Sequence, residues 1–569
     1  MKNITRFALI FTFFPLPAYF PLNTFAALAP VSSQSGELLQ NNPLLKAPSP
    51  PQTKSTGDPL ATLTKKRHSD VGTDGPKIKV RQLKVIDAPG PAQKDIKKFI
   101  DKFANTEMSL ADLKNVAIKI TSILQFHGEY LSYAYIPRQK IINDTVTIAI
   151  LNGYIEAVDL ADNASLVHNF VLNRFIARLN GPEKGSLAEV NETLLLIGDL
   201  PGISALSPTL MPGNNPGGSR LTLDLQAAKR FESYLLFDNM GSVTSGRNRA
   251  GIQLTINSPA GLGDRLQALA FIAPDRLQIN NKSKHGKTAI ARVSYDLPVN
   301  TRGGRAGVAL SRVSYRLGGP LLSGLGDGFA DVLSFYGSQP IIRSDKSNLT
   351  LGLSADIKRM DDTFWDEKNA RRAAVIGMQL TGSRQSELFG RPNVLQYDLS
   401  YGAGRLNNDD AWNGLHTRGT FFKSGQQIKF IQNVLPGIAI NFSLTGQQAS
   451  KNLDGAEKIS LGGPYAVRAY SNSTASADSA WITSTGLQFA LPWVKGLSTR
   501  LFYDYATGKI NKFSRQQQTV TLAGHGIGAD YQLNDRLFIS ASYAWRDGHD
   551  ALLPAQNKAM GWITAGVHF

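Results

Sequence analysis

Over its last residues the chain alternates strictly. Ile563, Ala565, Val567 and the terminal Phe569 fall on one side, and Trp562, Thr564, Gly566 and His568 on the other. A period of two describes a strand whose two faces meet different surroundings. The same alternation recurs at 249–256, 292–297, 308–315, 349–357, 375–380, 395–401, 438–444, 482–489 and 537–545. Short turns such as Leu435-Pro436-Gly437 and Leu533-Asn534-Asp535 separate some of these segments, and longer polar insertions, 323–327 and 407–414, separate others. That rhythm predicts a transmembrane β-barrel over 229–569, with short turns on one side and longer loops on the other. At ~10 residues per strand and ~11 per connection it holds about 16 antiparallel strands, enough to enclose an aqueous lumen.

Upstream, at 77–228, the periodicity changes. Residues 80–86 alternate and end at Pro89-Gly90. Ile96, Phe99, Ile100 and Phe103 then fall at helical spacing. Ser109 is a good N-cap, with Asp112 placed as a capping-box carboxylate. Leu110, Leu113, Val116, Ala117, Ile120 and Leu124 form that helix's apolar stripe, and strands follow at 131–136 and 145–150. The order strand, helix, helix, strand, strand repeats over 155–160, 166–179, 187–197, 205–211 and 220–226. This predicts two small α/β domains of ~75 residues each, at 77–153 and 154–228.

The N-terminus has the layout of a secretory signal peptide, 1–26. Lys2 and Arg6 precede an apolar stretch at 7–16, Pro15, Pro17 and Pro21 disfavour a spanning helix, and Ala26 is a small residue for cleavage. Residues 27–76, rich in Pro, Ser, Gly, Asn and Gln, read as a linker. Within it Leu38, Leu39, Leu44 and Leu45 give 35–46 the potential for a short helix, should something cover that face. A mean hydropathy of −0.16 is far too polar for a helical membrane protein. The 52 Gly, 27 Phe and 17 Tyr are what alternating lipid-facing strands require. With no cysteine, disulfide and thiol chemistry are excluded. The formal charge of +17 is spread along the chain, with only Lys65-Lys66-Arg67 as a run, so no nucleic-acid module is indicated. A cationic pore or contact with lipopolysaccharide in the outer membrane accounts for it better.

No catalytic constellation emerges. The eight histidines lie at no metal-ligand spacing, and there is neither a Walker motif nor a nucleophile elbow. Gly324-Leu325-Gly326-Asp327-Gly328 is read as a turn between barrel strands. No enzyme activity, metal or cofactor is expected.

The most specific local signal is 457–470, EKISLGGPYAVRAY, with Gly462, Gly463 and Pro464 ahead of Val467, Arg468, Ala469 and Tyr470. It resembles the VRGY-type motif on the sixth extracellular loop of the POTRA-plus-barrel superfamily, and the preceding LGGP matches the two-partner secretion transporters for haemolysins and filamentous haemagglutinins best. Leu236-Phe237-Asp238-Asn239 with Gly241 looks like that family's first barrel hairpin, and Gly261-Leu262-Gly263-Asp264 like its first periplasmic turn. The resemblance implies two POTRA domains in the periplasm ahead of a bacterial outer-membrane barrel. It also implies that the loop folds into the lumen, where its arginine pairs with an aspartate on the wall. The matching wall motif is Phe502, Asp504 and Gly508. Ala469 and Ala506 stand where the family usually has glycine. Phe569 corresponds to the terminal aromatic that signals assembly by the barrel assembly machinery, and 27–76 corresponds in position to a plug helix. The function implied is recognition of an unfolded, large, β-rich exoprotein by the POTRA domains, through strand addition at open sheet edges, and its export through the barrel. The alternative within the superfamily is an outer-membrane protein assembly factor, which usually carries three or more POTRA units. A diffusion porin or a surface adhesin would leave 77–228 without a task.

Overall fold

The computed structural model describes residues 34–40, 77–127, 129, 131–180, 187–215, 217–242, 244–273, 286–318, 322–408, 416–515, 517–533, 536–548, 553 and 557–569. The expected signal peptide, 1–26, and most of the expected linker, 27–76, lie outside the described residues.

The chain begins with helix α1 (Gln34–Gln40), then forms two consecutive α/β units. The first contains β1 (Ile78–Val80), β2 (Gln82–Ile86), α2 (Gly90–Ile100), β3 (Thr106–Met108), α3 (Leu110–Phe126), β4 (Tyr133–Tyr135) and β5 (Thr145–Leu151). Its three-stranded sheet runs β2-β5-β4, with β2 parallel and β4 antiparallel to β5. The expected first strand is broken near Arg81, and its first part pairs with β3 in a separate two-stranded sheet that the apolar pattern does not reveal. Helix α3 carries the anticipated capping box. The Asp112 N–H donates to Ser109 Oγ at 3.1 Å, and the Ser109 N–H donates to Asp112 Oδ2 at 2.9 Å. The Ser109 N–H, contributing most, and the Ser109 hydroxyl, which also donates to Asp112 Oδ2 at 2.9 Å, hold the Asp112 carboxyl below its ordinary range. Their stabilisation is therefore present above about pH 4 and lost as pH falls through the depressed value. Ser109→Ala should cost this unit roughly 1 kcal/mol, read as a lower thermal midpoint.

The second unit repeats the plan with β6 (Tyr154–Asn163), α4 (Asn169–Leu179), α5 (Leu187–Gly198), β7 (Ile203–Pro212) and β8 (Gly218–Ala227), in the sheet order β6-β8-β7. Its apolar core of Leu172, Phe175, Leu194, Ile197, Leu221 and Leu223 extends to Leu262, a barrel residue.

Sixteen antiparallel strands close the barrel. They are β9 (Phe231–Asp238), β10 (Arg249–Asn257), β11 (Arg265–Ala273), β12 (Lys287–Pro298), β13 (Arg305–Arg316), β14 (Gly326–Arg343), β15 (Ser347–Phe364), β16 (Glu367–Leu388), β17 (Arg391–Leu406), β18 (Gly419–Leu435) and β19 (Ile438–Ala449). After a loop containing the short β20 (Ile459–Ser460) and β21 (Ser476–Ala477) come β22 (Ser479–Ala490), β23 (Leu497–Ile510), β24 (Gln518–Leu533), β25 (Leu537–Arg546) and β26 (Ala559–His568). Alternation sorts the faces as the terminal strand suggests: Ile563 points outward and Trp562 is buried inside. Leu235, Phe237, Ile376, Leu399, Tyr401 and Leu501 belong to the exposed apolar outer face.

Two expectations are corrected. The long strands β14 to β18 run 16 to 22 residues, and the outer connection between β15 and β16 is only 365–366, so the longer outer connection expected there is replaced by a tight hairpin, whereas β19 and β22 are separated by 450–478 as the short-and-long rhythm predicts. The expected insertion 323–327 accordingly ends inside β14. The ring is closed by only five residue pairs between β26 and β9, from Thr564↔Asp238 to His568↔Tyr234. Above them the Asn239 side chain takes the place of a strand. Its Oδ1 accepts from the Ile563 N–H at 2.9 Å and its Nδ2 donates to the Gly561 carbonyl at 3.0 Å.

Candidate functional site

The loop between β19 and β22 folds back into the barrel, and Arg468 is its anchor. Arg468 Nε donates to Asp504 Oδ2 at 2.8 Å and Nη2 to Oδ1 at 2.6 Å, and the backbone N–H of Arg468 adds a third bond to Oδ2 at 3.1 Å. Such a bidentate pair fixes both distance and plane. Ser484 Oγ on β22 donates to Asp504 Oδ1 at 2.7 Å and accepts from Arg468 Nη2 at 2.9 Å. The guanidinium carbon sits 3.3 Å from the centroid of the Phe502 ring, on the strand that carries Asp504. From β26, Trp562 Nε1 donates to the Arg468 carbonyl at 2.7 Å.

The other motif residues shape the turn. Gly463 has φ +111°, and a Cβ there would lie 2.1 Å from Asn472 Oδ1, so only glycine fits. Gly462 and Pro464 flank it, and Tyr465 at the tip is exposed. Val467, Ala469 and Tyr470 are buried against Ile482, Phe502, Ala506, Val520 and Leu522. Gly508 admits the loop closely, since a Cβ there would meet Ala477 Cβ at 2.8 Å. Neither Ala469 nor Ala506 has positive φ. The side chain at 469 is accommodated by the wall instead: a Cβ at Gly524 on β24 would come within 2.6 Å of Ala469 Cβ. Phe569 lies apart from this cluster, exposed at the opposite end of the wall, its N–H bonded to the Ser233 carbonyl at 2.9 Å.

A second cluster, not legible in the sequence, joins the loop to α1. That helix lies inside the barrel along β13, β14 and β15, with Leu38 and Leu39 buried among Ile290, Val313, Tyr315, Val332 and Met360. The Ser35 hydroxyl donates to Asp362 Oδ2 at 2.8 Å and its N–H to Oδ1 at 3.2 Å. Tyr315 Oη also donates to Asp362, at 2.8 Å. Arg371, fully buried, bonds both Asp362 on β15 and Asp454 on the infolded loop. Gly36 packs directly on the same loop, where a Cβ would lie 2.7 Å from the Ala456 N. Beside it, Glu457 is held between Lys358 and Lys423, each at 2.6 Å. The remaining lumen is a cavity of about 930 Å³ lined by Gln253, Gln267, Gln379, Gln427 and Ser400 among others. Among the described residues no group of His, Asp or Glu could hold a metal ion.

At the other end of the lumen the second α/β unit docks on three consecutive barrel turns. The His168 N–H donates to the Gly261 carbonyl at 2.8 Å, and Arg178 Nη1 to the Thr301 carbonyl at 3.3 Å. Arg343 makes a bidentate pair with Asp199 at 2.7 and 3.0 Å.

A closed sixteen-stranded barrel with an internal helix, an infolded arginine loop and small α/β units docked at one mouth defines an outer-membrane transporter. Residues 217–531 match the family described as haemolysin secretion/activation protein ShlB/FhaC/HecB, and residues 78–153 match the ShlB-type POTRA domain. The chain belongs to that haemolysin secretion/activation family. It is 26% identical over 485 residues to the heme/hemopexin transporter protein HuxB of Haemophilus influenzae strain Rd, covering 83% of both chains. Among solved structures it is similar in fold to CdiB from Escherichia coli, with TM-score 0.66 and 17% identity, covering 96% of this chain and all of the other. CdiB from Acinetobacter baumannii gives TM-score 0.61 at 16% identity, covering 94% and 98%. BamA from Haemophilus ducreyi lacking POTRA domains 1-3 gives 0.52 at 12%, covering 86% and 100%. The barrel therefore lies in the outer membrane with its POTRA units in the periplasm. Members of this two-partner secretion family are transporters, and the partner implied is a large secreted exoprotein.

Proposed function

We propose that this chain binds one unfolded, β-rich exoprotein through its POTRA units and exports it through the barrel lumen. The observation that carries this reading is the closure of the lumen by two removable elements. Helix α1 and the Arg468 loop are held by ion pairs, hydrogen bonds and apolar side-chain packing rather than by the barrel's own ladders, directly above a docked POTRA unit. An unfolded chain offers peptide groups to sheet edges, and strand addition needs no particular side chains. The described edges are not bare, however. The Ala134 N–H of β4 is bonded to Thr121 Oγ1 at 3.0 Å, and Val158 of β6 exchanges two bonds with the Asn180 amide, at 2.9 and 2.7 Å. Docking at these edges exchanges one polar partner for another, which costs far less than breaking a backbone ladder. Pro208 and Pro212 remove donors from β7 and make it the poorer acceptor.

The periplasm supplies no nucleotide, so folding of the cargo outside supplies direction. In the same reading, Arg312 and Arg359, on the outer face above the apolar band, meet lipopolysaccharide, and Phe569 is engaged by the barrel assembly machinery during biogenesis. Two POTRA units favour export over membrane-protein assembly. The likeness to HuxB favours a cargo that serves haem acquisition.

Comparing the proteins released by the native host with and without this gene tests the proposal. One large protein should vanish from the outside and return on complementation. An unchanged set of released and surface proteins contradicts it.

A further inference from the structure

The hairpin joining β16 to β17 turns at Phe389 and Gly390, with φ +53° and +70°. Two left-handed residues make a tight hairpin turn in which Asn or Gly is the favoured first residue. A phenylalanine there suffers a clash between its Cβ and a carbonyl oxygen. Nothing in the fold compensates for this, because Phe389 is 92% exposed and the neighbouring Leu388 is exposed as well. Four other turns at this mouth place glycine at positive φ, at Gly261, Gly263, Gly303, Gly437 and Gly496, and the one other non-glycine there among the described residues is the small Ser258, at φ +50°.

Lipid does not cover this tip. On β16 the outward-facing Ile376 and Met378 lie in the apolar band, and the exposed Arg384 and Ser386 follow them toward the periplasm. Phe389 lies past Arg384 by about 16 Å of strand, or ~12 Å along the barrel axis after the usual tilt. That is beyond the interfacial belt where aromatic anchors sit. The tip does continue an interface already described. The docked POTRA unit occupies three consecutive turns and ends at the Asp199–Arg343 pair on the β14–β15 turn. The β16–β17 turn is the next one round the mouth.

Building on the proposed function, we infer that Leu388 and Phe389 are the first barrel contact of the exported polypeptide as it leaves the second POTRA unit. An unfolded chain exposes the apolar side chains that such a tip engages, and the tip's strain is the cost of presenting a ring where a glycine would fold better. Phe389→Gly and Phe389→Asn separate the two roles. Both relieve the backbone, so the barrel's thermal midpoint should hold or rise, while export of the cargo identified by the gene deletion falls several-fold. Phe389→Trp should retain export. Export by Phe389→Gly at the parent rate overturns the inference, whereas failure of the parent to export any protein overturns the proposed function instead. A photoreactive residue at 389, in the full chain in lipid nanodiscs, should capture a short fluorescent peptide of alternating valine and threonine. Capture of phospholipid alone, or of nothing, overturns the assignment.

Discussion

Arg371→Met is expected to leave the barrel open without any cargo. Arg371 is fully buried and compensates two carboxylates, Asp362 and Asp454, which come from the wall and from the infolded loop. Methionine keeps the volume but leaves both carboxylates facing each other with no cation between them. Losing one partner of a buried ionic cluster costs ~3–5 kcal/mol. That amount shifts the equilibrium between closed and open lumen by about two to four orders of magnitude. Asp362 also holds Ser35 of α1, so the helix and the loop lose a shared support together. Single-channel recordings of the purified protein should show long, large openings where the parent is mostly shut. Adding Asp362→Asn and Asp454→Asn should restore closure, because the repulsion disappears while hydrogen bonding is retained.

Reversing either charge of the Arg468–Asp504 pair should stop export, and reversing both should recover part of it. Asp504 is wholly buried and accepts three bonds from Arg468 and one from Ser484. Arg468→Asp brings a second carboxylate to Asp504 and also to the negative face of the Phe502 ring. Each single change therefore forfeits several kcal/mol of loop anchoring. Recovery should be partial, since the reversed pair loses the stacking of the guanidinium on Phe502. Arg468→Lys should fall between Arg468→Ala and the parent, because an ammonium cannot make the bidentate geometry. Strictly additive losses in the double variant would show that the two residues act independently.

Much of this architecture was legible in the sequence, where one physical rule governs many residues. Alternation located most strands, because the two faces of a barrel strand meet lipid and water throughout their length. The rule fails where both faces are polar, and this hid the outer ends of β15 and β16 and the glutamine-rich middle of β18. Of the 35–46 expected from its leucines, α1 covers 35–40, and 41–46, with Leu44 and Leu45, lie outside the described residues. Arg468 and Asp504 were found through a motif. Arg371, Asp362 and Asp454 were not, because a charged residue on a barrel strand or loop looks the same in sequence whether it meets water or a buried partner. The substitution at Ala469 was opaque for a related reason: the space it needs is provided 55 positions later by Gly524.

The most direct test of the export route is to place a photoreactive residue at lumen-facing Gln379 or Gln427, and separately at lipid-facing Leu399 or Tyr401, and to irradiate cells while the cargo is crossing. Passage through the barrel predicts cargo adducts from Gln379 and Gln427 and none from Leu399 or Tyr401. Adducts confined to the lipid-facing positions, or a lumen that never touches a cargo being actively exported, would contradict it.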